Sequence, residues 1–284
     1  MSKILLRGPC DVTAIKTYLY ESEDIEIQSA FRGARLATVW DVAISTYLMQ
    51  AALNRRINSR FIEQSFYPNE DIFSSKYAGI IISVIGDGML GFYENKKDLS
   101  HLAYGLFPCD ATKNDGIEYF SPNIQHGGLP DITKEEYRQF SQEYRFLGRI
   151  SPLESATNYK IFIDALFPNT RVIILLGPTV LNKYGEQSTP MKNGGKEFYS
   201  QLNKELIKTF NNYQNVFLID PKDHYVETKN EYEMFYYGFP SLAHYPCLTY
   251  YKMAQEISKI FPEVQVDEQK FIEQQNNRKQ KFKY

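Results

Sequence analysis

Four short apolar runs, separated by stretches of helical periodicity, restrict the fold of this chain more than any other feature. They are Lys3-Ile4-Leu5-Leu6, Gly79-Ile80-Ile81-Ile82-Ser83-Val84-Ile85, Arg171-Val172-Ile173-Ile174-Leu175 and Val216-Phe217-Leu218-Ile219. Each is bounded by turn-forming residues and has the length of a strand, and the β-branched density of the second fits a parallel strand covered on both faces. Ile25-Glu26-Ile27-Gln28 alternates like a further strand, and residues 60–66 are another candidate. Helical spacing of apolar residues marks 12–20, 36–55, 133–146, 152–167, 196–211 and 247–260. Strands that alternate with helices predict an α/β fold, a three-layer α/β/α sandwich with a mainly parallel sheet. The ligand crevice of such a sheet lies outside the carboxyl ends of its strands. Cys10, Gly86-Asp87-Gly88, the loop after Leu176 and the segment after Asp220 all fall at strand ends, so they are expected to share one edge.

No break in composition divides the segment 1–262, which reads as one domain. Within it, residues 92–131 dissolve into Gly, Pro, Asn and Asp and read as an irregular insertion. Because the insertion follows Gly86-Asp87-Gly88, it is expected to cover the crevice. Tyr93, Tyr104, Tyr119 and His126 would supply substrate contacts, since phenol and imidazole groups pair an apolar face with a polar tip. Residues 263–284 form a polar, basic tail, expected to be a solvated or partly helical appendage or, in a sharper reading, a patch for an anionic surface.

A chain of 284 residues can bury a sizeable core without disulfides, and its formal net charge of -2 argues against nucleic acid as principal partner. No apolar run has the length of a membrane span, and the chain enters a strand directly, so a cytoplasmic protein is expected. Cys10, Cys109 and Cys247 are scattered and form no CxxC pair; they read as thiols rather than as disulfides or a zinc site. The aromatic fraction of 15% suits sugar rings but equally fits a drift in base composition, as Asn, Lys and Ile are abundant too.

Chemistry is concentrated at two anchors. Lys3-Ile4-Leu5-Leu6-Arg7-Gly8-Pro9-Cys10-Asp11 breaks from a strand at Gly-Pro and delivers a cysteine at the start of a helix, where thiolate character rises; the plain alternative is an inert buried thiol. His244, in Ser241-Leu242-Ala243-His244-Tyr245-Pro246-Cys247, stands just before the last core helix and supplies a base of suitable range. His224, His101 and Cys247 are weaker candidates, the last as a packing residue.

Gly8-Pro9-Cys10, Ile85-Gly86-Asp87-Gly88 and His244-Tyr245 with Tyr251 and Met253-Ala254 together resemble the ordered blocks of the SGNH/GDSL hydrolases, a likeness extending from Lys3 to Ile260. A branch associated with surface-polysaccharide biosynthesis carries Gly-x-Cys in place of Gly-Asp-Ser, and this chain looks closest to it. The resemblance implies a flavodoxin-like sandwich and an O-acetyltransferase or esterase acting on a carbohydrate or glycoconjugate. No tightly bound cofactor is implied, and acetyl-CoA would serve as acyl donor. Cys10 would be the nucleophile and His244 its base. Backbone N–H groups at Gly86, Asp87 and Gly88 would contribute the oxyanion hole. The chain departs from the family pattern in three places: cysteine replaces serine, the oxyanion asparagine is missing, and Ser241 stands where an acid is expected. Asp220 would then orient His244, or the pair would act as a dyad. The same departures fit a degenerate SGNH-fold binding or scaffold protein in surface-polysaccharide biosynthesis.

Overall fold

The computed structural model describes residues 2–8, 10–20, 25–29, 44–53, 77–106, 134–181, 194–228 and 245–281. Five strands form the main sheet: β1 (Ser2–Arg7), β3 (Ile25–Ser29), β4 (Tyr77–Ser83), β8 (Arg171–Leu175) and β9 (Val216–Ile219). They lie in the order β3-β1-β4-β8-β9, and every pairing is parallel. Counted along the chain within this sheet, the order is 2-1-3-4-5, a doubly wound arrangement whose connections reverse direction between β1 and β4. The apolar runs account for the strands directly. Ile4, Ile80, Ile82, Val172, Ile173 and Ile174 are fully buried, as expected of strands with helices over both faces.

The helices fall into two packed groups. On one side α1 (Cys10–Lys16) lies against α8 (Cys247–Ile260). On the other, α2 (Ser45–Ala52) packs on α5 (Pro152–Leu166), and α5 on α6 (Lys196–Phe210). Such a division is what the general right-handedness of parallel crossovers dictates: the strand order runs one way from β1 to β3 and back from β3 to β9, so helices of the two directions cover opposite faces. Local sequence sets the helix starts. Ser151 caps α5 by accepting the Glu154 N–H at 3.2 Å, and Pro152 fills the first helical position. Gly79 admits the Phe261 ring from the end of α8; a Cβ there would lie 2.2 Å from Phe261 Cε1.

Several boundaries differ from the sequence expectation. The helix expected over 12–20 is α1 and ends at Lys16; Leu19 and Tyr20 form β2 (Leu19–Tyr20), paired antiparallel with β10 (Gln265–Val266). Of the helix expected over 36–55, residues 45–52 are α2. The strand at 60–66 lies outside the described residues. The run 79–85 stops as a strand at Ser83, and α3 (Ile85–Met89) follows.

The expected irregular insertion begins instead as a hairpin, β5 (Leu90–Asn95) and β6 (His101–Leu106). β7 (Tyr144–Gly148) adds to β5 to make a three-stranded antiparallel sheet. Pairing with strands distant in sequence makes these segments strands despite the nearby turn residues: Tyr93 lies opposite Leu102 on β6 and Phe146 on β7. For the same reason the helix expected over 133–146 becomes α4 (Lys134–Glu143) and hands over to β7. Lys96 closes that helix by donating its Nζ to the carbonyls of Ser141 and Gln142 at 2.9 and 3.2 Å. Residues 107–133 lie outside the described set.

The polar tail is helical and docks. Asp267 accepts the Lys270 N–H at 2.8 Å at the start of α9 (Glu268–Lys281). Phe271 stacks on Tyr251 at 4.2 Å between centroids and meets Tyr18 edge-on at 5.7 Å. No described helix is long and apolar enough to cross a membrane.

Candidate functional site

Strand ends build the carboxyl edge of the sheet. β1 runs out at Arg7, and Gly8 lets the chain turn hard against β4: a Cβ on Gly8 would lie 2.4 Å from Val12 Cγ2 and 2.7 Å from Ser83 Cβ. Cys10 therefore opens α1 at the end of β1, beside the point where the strand order reverses. Its neighbour Asp11 is buried. Asp11 Oδ2 accepts the Ser83 hydroxyl at 2.5 Å and Oδ1 the Val12 N–H at 2.8 Å, pinning the start of α1 to the end of β4. Burial pushes the Asp11 carboxyl up to about 7, against the opposing pull of those two bonds.

Gly86, Asp87 and Gly88 form the middle of α3, directly after β4. Asp87 is 2% exposed, and its carboxylate is engaged on both oxygens. Oδ1 accepts the Ser45 N–H at 2.9 Å, and Oδ2 accepts the Ser155 hydroxyl. Desolvation pushes this carboxyl up to about 6; the serine bonds oppose the shift and the Glu154 charge adds to it. Gly88 has a different task. A Cβ there would lie 2.3 Å from Tyr199 Cζ, and one on Gly177 would lie 2.2 Å from Tyr199 Cδ1, so the Tyr199 ring slots between the ends of β4 and β8. Its hydroxyl donates to the Ile85 carbonyl at 2.7 Å. Asn203 locks the loop after β8 by accepting the Gly177 N–H at 2.8 Å and donating to its carbonyl at 2.9 Å.

Asp220 follows β9 and caps the short helix α7 (Pro221–His224), accepting the Lys222 N–H at 2.9 Å. His244 lies outside the described residues, as do Tyr119 and His126. The next residue, Tyr245, is fully buried, edge-on to Tyr250 at 5.7 Å, and among the described residues its hydroxyl has no hydrogen-bond partner. Burial, then the charges of Asp11 and Asp220, hold its phenol well above the ordinary tyrosine range.

The remaining candidates sit elsewhere. Tyr93 is fully buried, with its ring 5.1 Å from both Phe140 and Phe146, in the core of the second sheet. Tyr104 is on β6, opposite Gly91. Cys247 is buried in the first turn of α8. His101 stands 3.3 Å from Glu94 and 3.8 Å from Glu154.

Sequence reasoning passed over Asp11, Ser83, Ser155 and Tyr245. Only Asp11 left a signal, an acid between Cys10 and Val12 at the strand-to-helix break. Among the described residues no group of three or more His, Cys, Asp or Glu side chains is arranged to hold a metal ion. The edge as a whole offers a cysteine-bearing helix start, two dry carboxyls and a ring-filled gap between β4 and β8. No protein-family model matches the chain, and no curated protein sequence is significantly similar to it.

Proposed function

We propose that this chain is an acyl-transfer enzyme with the flavodoxin-like SGNH fold, an O-acetyltransferase or esterase acting on a carbohydrate or glycoconjugate. One observation carries the reading. Cys10 opens α1 at the carboxyl end of β1, beside the reversal of strand order, where doubly wound sheets bind their ligands. Asp220 is three strands away, about 14 Å at ordinary strand spacing. The base would come from His244, with Asp220 orienting it or with Cys10 and His244 acting as a dyad.

In the proposed reaction the Cys10 thiolate attacks the acyl carbonyl, and the donor's leaving group, the thiol of CoA where acetyl-CoA is the donor, departs with a proton from His244. The thioester then yields to a sugar hydroxyl or to water, whose proton passes to His244 as the Cys10 thiolate leaves. The Gly86 backbone N–H, in the first turn of α3, would steady the oxyanion, while the Asp87 N–H is already given to the Val84 carbonyl at 3.3 Å. Intact-mass measurement after incubation with acetyl-CoA or p-nitrophenyl acetate tests this: one acetyl group should appear on Cys10 and be lost in Cys10→Ala. Turnover unchanged in Cys10→Ala would overturn it.

A second reading has its own observation. Tyr199 fills the cradle left by Gly88 and Gly177, and Asp87 is committed to Ser45 and Ser155, as in a degenerate site kept for binding. Iodoacetamide separates the two. Rapid alkylation of Cys10 near neutral pH supports the enzyme, and a rate typical of an unperturbed thiol supports the binding protein.

A further inference from the structure

Asp87 stands between the central strand β4 and the β5–β6 hairpin, and its carboxylate joins two helices from distant parts of the chain. It accepts the Ser45 N–H in the first turn of α2 at 2.9 Å and the Ser155 hydroxyl in the first turn of α5. Each helix also grips the hairpin. The Tyr47 hydroxyl accepts the Ala103 N–H at 3.0 Å and donates to the Ala103 carbonyl, while Gln50 donates to the His101 carbonyl at 3.2 Å. Residues 47 and 50 are three apart on one helix face, so α2 hydrogen-bonds along the edge of β6 as a further strand would. From α5, Glu154, the residue before Ser155, lies 3.8 Å from His101 Nδ1.

We propose that Asp87 is a proton-operated latch: when its carboxyl is protonated, α2, α5 and the hairpin lock together beside the carboxyl edge of the sheet, and when it is ionised they part more readily. The reason is electrostatic. An ionised carboxylate held dry by uncharged donors alone, the two serines and the Tyr159 phenol, gains water when the helices separate, whereas a neutral carboxyl gains far less. The groups that face it do not remove this cost. From α5 come the Glu154 carboxylate, which repels it, and the Tyr159 phenol, an uncharged hydrogen-bond partner. The Tyr199 phenol faces it from α6, and Ser45 from α2 is uncharged. His101 on β6 is paired with Glu94 and Glu154, and Arg149 lies over Phe198 and acts on Tyr199. Burial pushes the Asp87 carboxyl from 3.8 up to about 6 in the closed state. If opening restores the ordinary value, linkage makes the opening equilibrium about tenfold larger at pH 7.5 than at pH 5, levelling off above about pH 6. The inference does not depend on the acyl-transfer chemistry.

Hydrogen exchange on the full chain, read by mass spectrometry and corrected for the intrinsic pH dependence of amide exchange, tests it. Protection in peptides covering α2 and β6 should fall about tenfold more than in β8 and β9 between pH 5 and 7.5. Ser155→Ala removes a donor that favours the ionised form, so the levelling-off should move to higher pH. Asp87→Asn should abolish the difference and keep α2 and β6 protected at pH 7.5. Protection that falls equally in all peptides, an unmoved levelling-off in Ser155→Ala, or a pH dependence that survives in Asp87→Asn would each overturn the latch. If Asp87→Asn does not fold, the unsubstituted chain and Ser155→Ala decide the matter.

Discussion

Asp11→Asn should make this protein less sensitive to alkaline pH, although it removes a carboxylate that makes two hydrogen bonds. The folded state holds the Asp11 proton up to about pH 7, whereas the unfolded chain releases it near 3.8. Between those values the native state binds more protons than the unfolded state, so stability is greatest below the lower value and is lost as pH rises through the upper one. The gap is about three pH units, and at about 1.4 kcal/mol per unit, ionising Asp11 in place costs about 4 kcal/mol. Of this, about 2–3 kcal/mol falls between pH 5 and pH 8, a large share of a typical domain's stability.

Asparagine keeps an acceptor for the Val12 N–H, and its amide can donate to Ser83 Oγ, so the geometry survives while the charge does not. Urea denaturation at pH 5 and pH 8 is the assay. Asp11→Asn should cost about 1 kcal/mol or less at pH 5, where a neutral group replaces a neutral group, and should stabilise at pH 8 by about 1–2 kcal/mol. Ser83→Ala is the companion variant: it removes the hydroxyl that steadies the ionised form and should destabilise more at pH 8 than at pH 5. If Asp11→Asn is as destabilising at pH 8 as at pH 5, the dry carboxylate is not the source of the slope and the reasoning fails.

Gly88→Ala and Gly177→Ala should each cost about 1–3 kcal/mol in the same assay, because the new methyl meets the Tyr199 ring well inside contact distance. Phe271→Ala should lower stability by about 1–2 kcal/mol, less than for a fully buried phenylalanine, and expose Tyr251 to acrylamide quenching, since the ring stacks on Tyr251 from a half-exposed helix. Ser151→Ala should cost about 1 kcal/mol by removing the cap of α5, measured by thermal melting.

The strands of the main sheet were legible because parallel strands buried on both faces leave nearly unbroken apolar runs, and residues 79–85 are such a run. The last core helix, Cys247–Ile260, matches expectation at both ends because its apolar spacing is regular and Pro246 precedes it. The second sheet was hidden for the opposite reason. β5, β6 and β7 carry glycines and polar residues, and they are stabilised by partners distant in sequence: Tyr93 by Phe140 and Phe146, the edge of β6 by Tyr47 and Gln50. Pairing of that kind leaves no local periodicity long enough to read.

At the strand ends, sequence order indicated which segments meet but not which way their side chains face. Gly86-Asp87-Gly88 reads locally as a turn with an open carboxylate, yet residues 42 positions before Asp87 and 68 after it supply its donors. Gly88 resembles a turn glycine until Tyr199, on another helix, is seen to need the space of its missing Cβ. An acid at a strand-to-helix break can be solvated or dry, and the difference lies in what the neighbouring strand end or helix delivers. For Asp11 and Asp87 it delivers serine hydroxyls rather than cations. Desolvation therefore outweighs stabilisation of the charge, and both carboxyls titrate near neutrality at the edge where the proposed nucleophile is mounted.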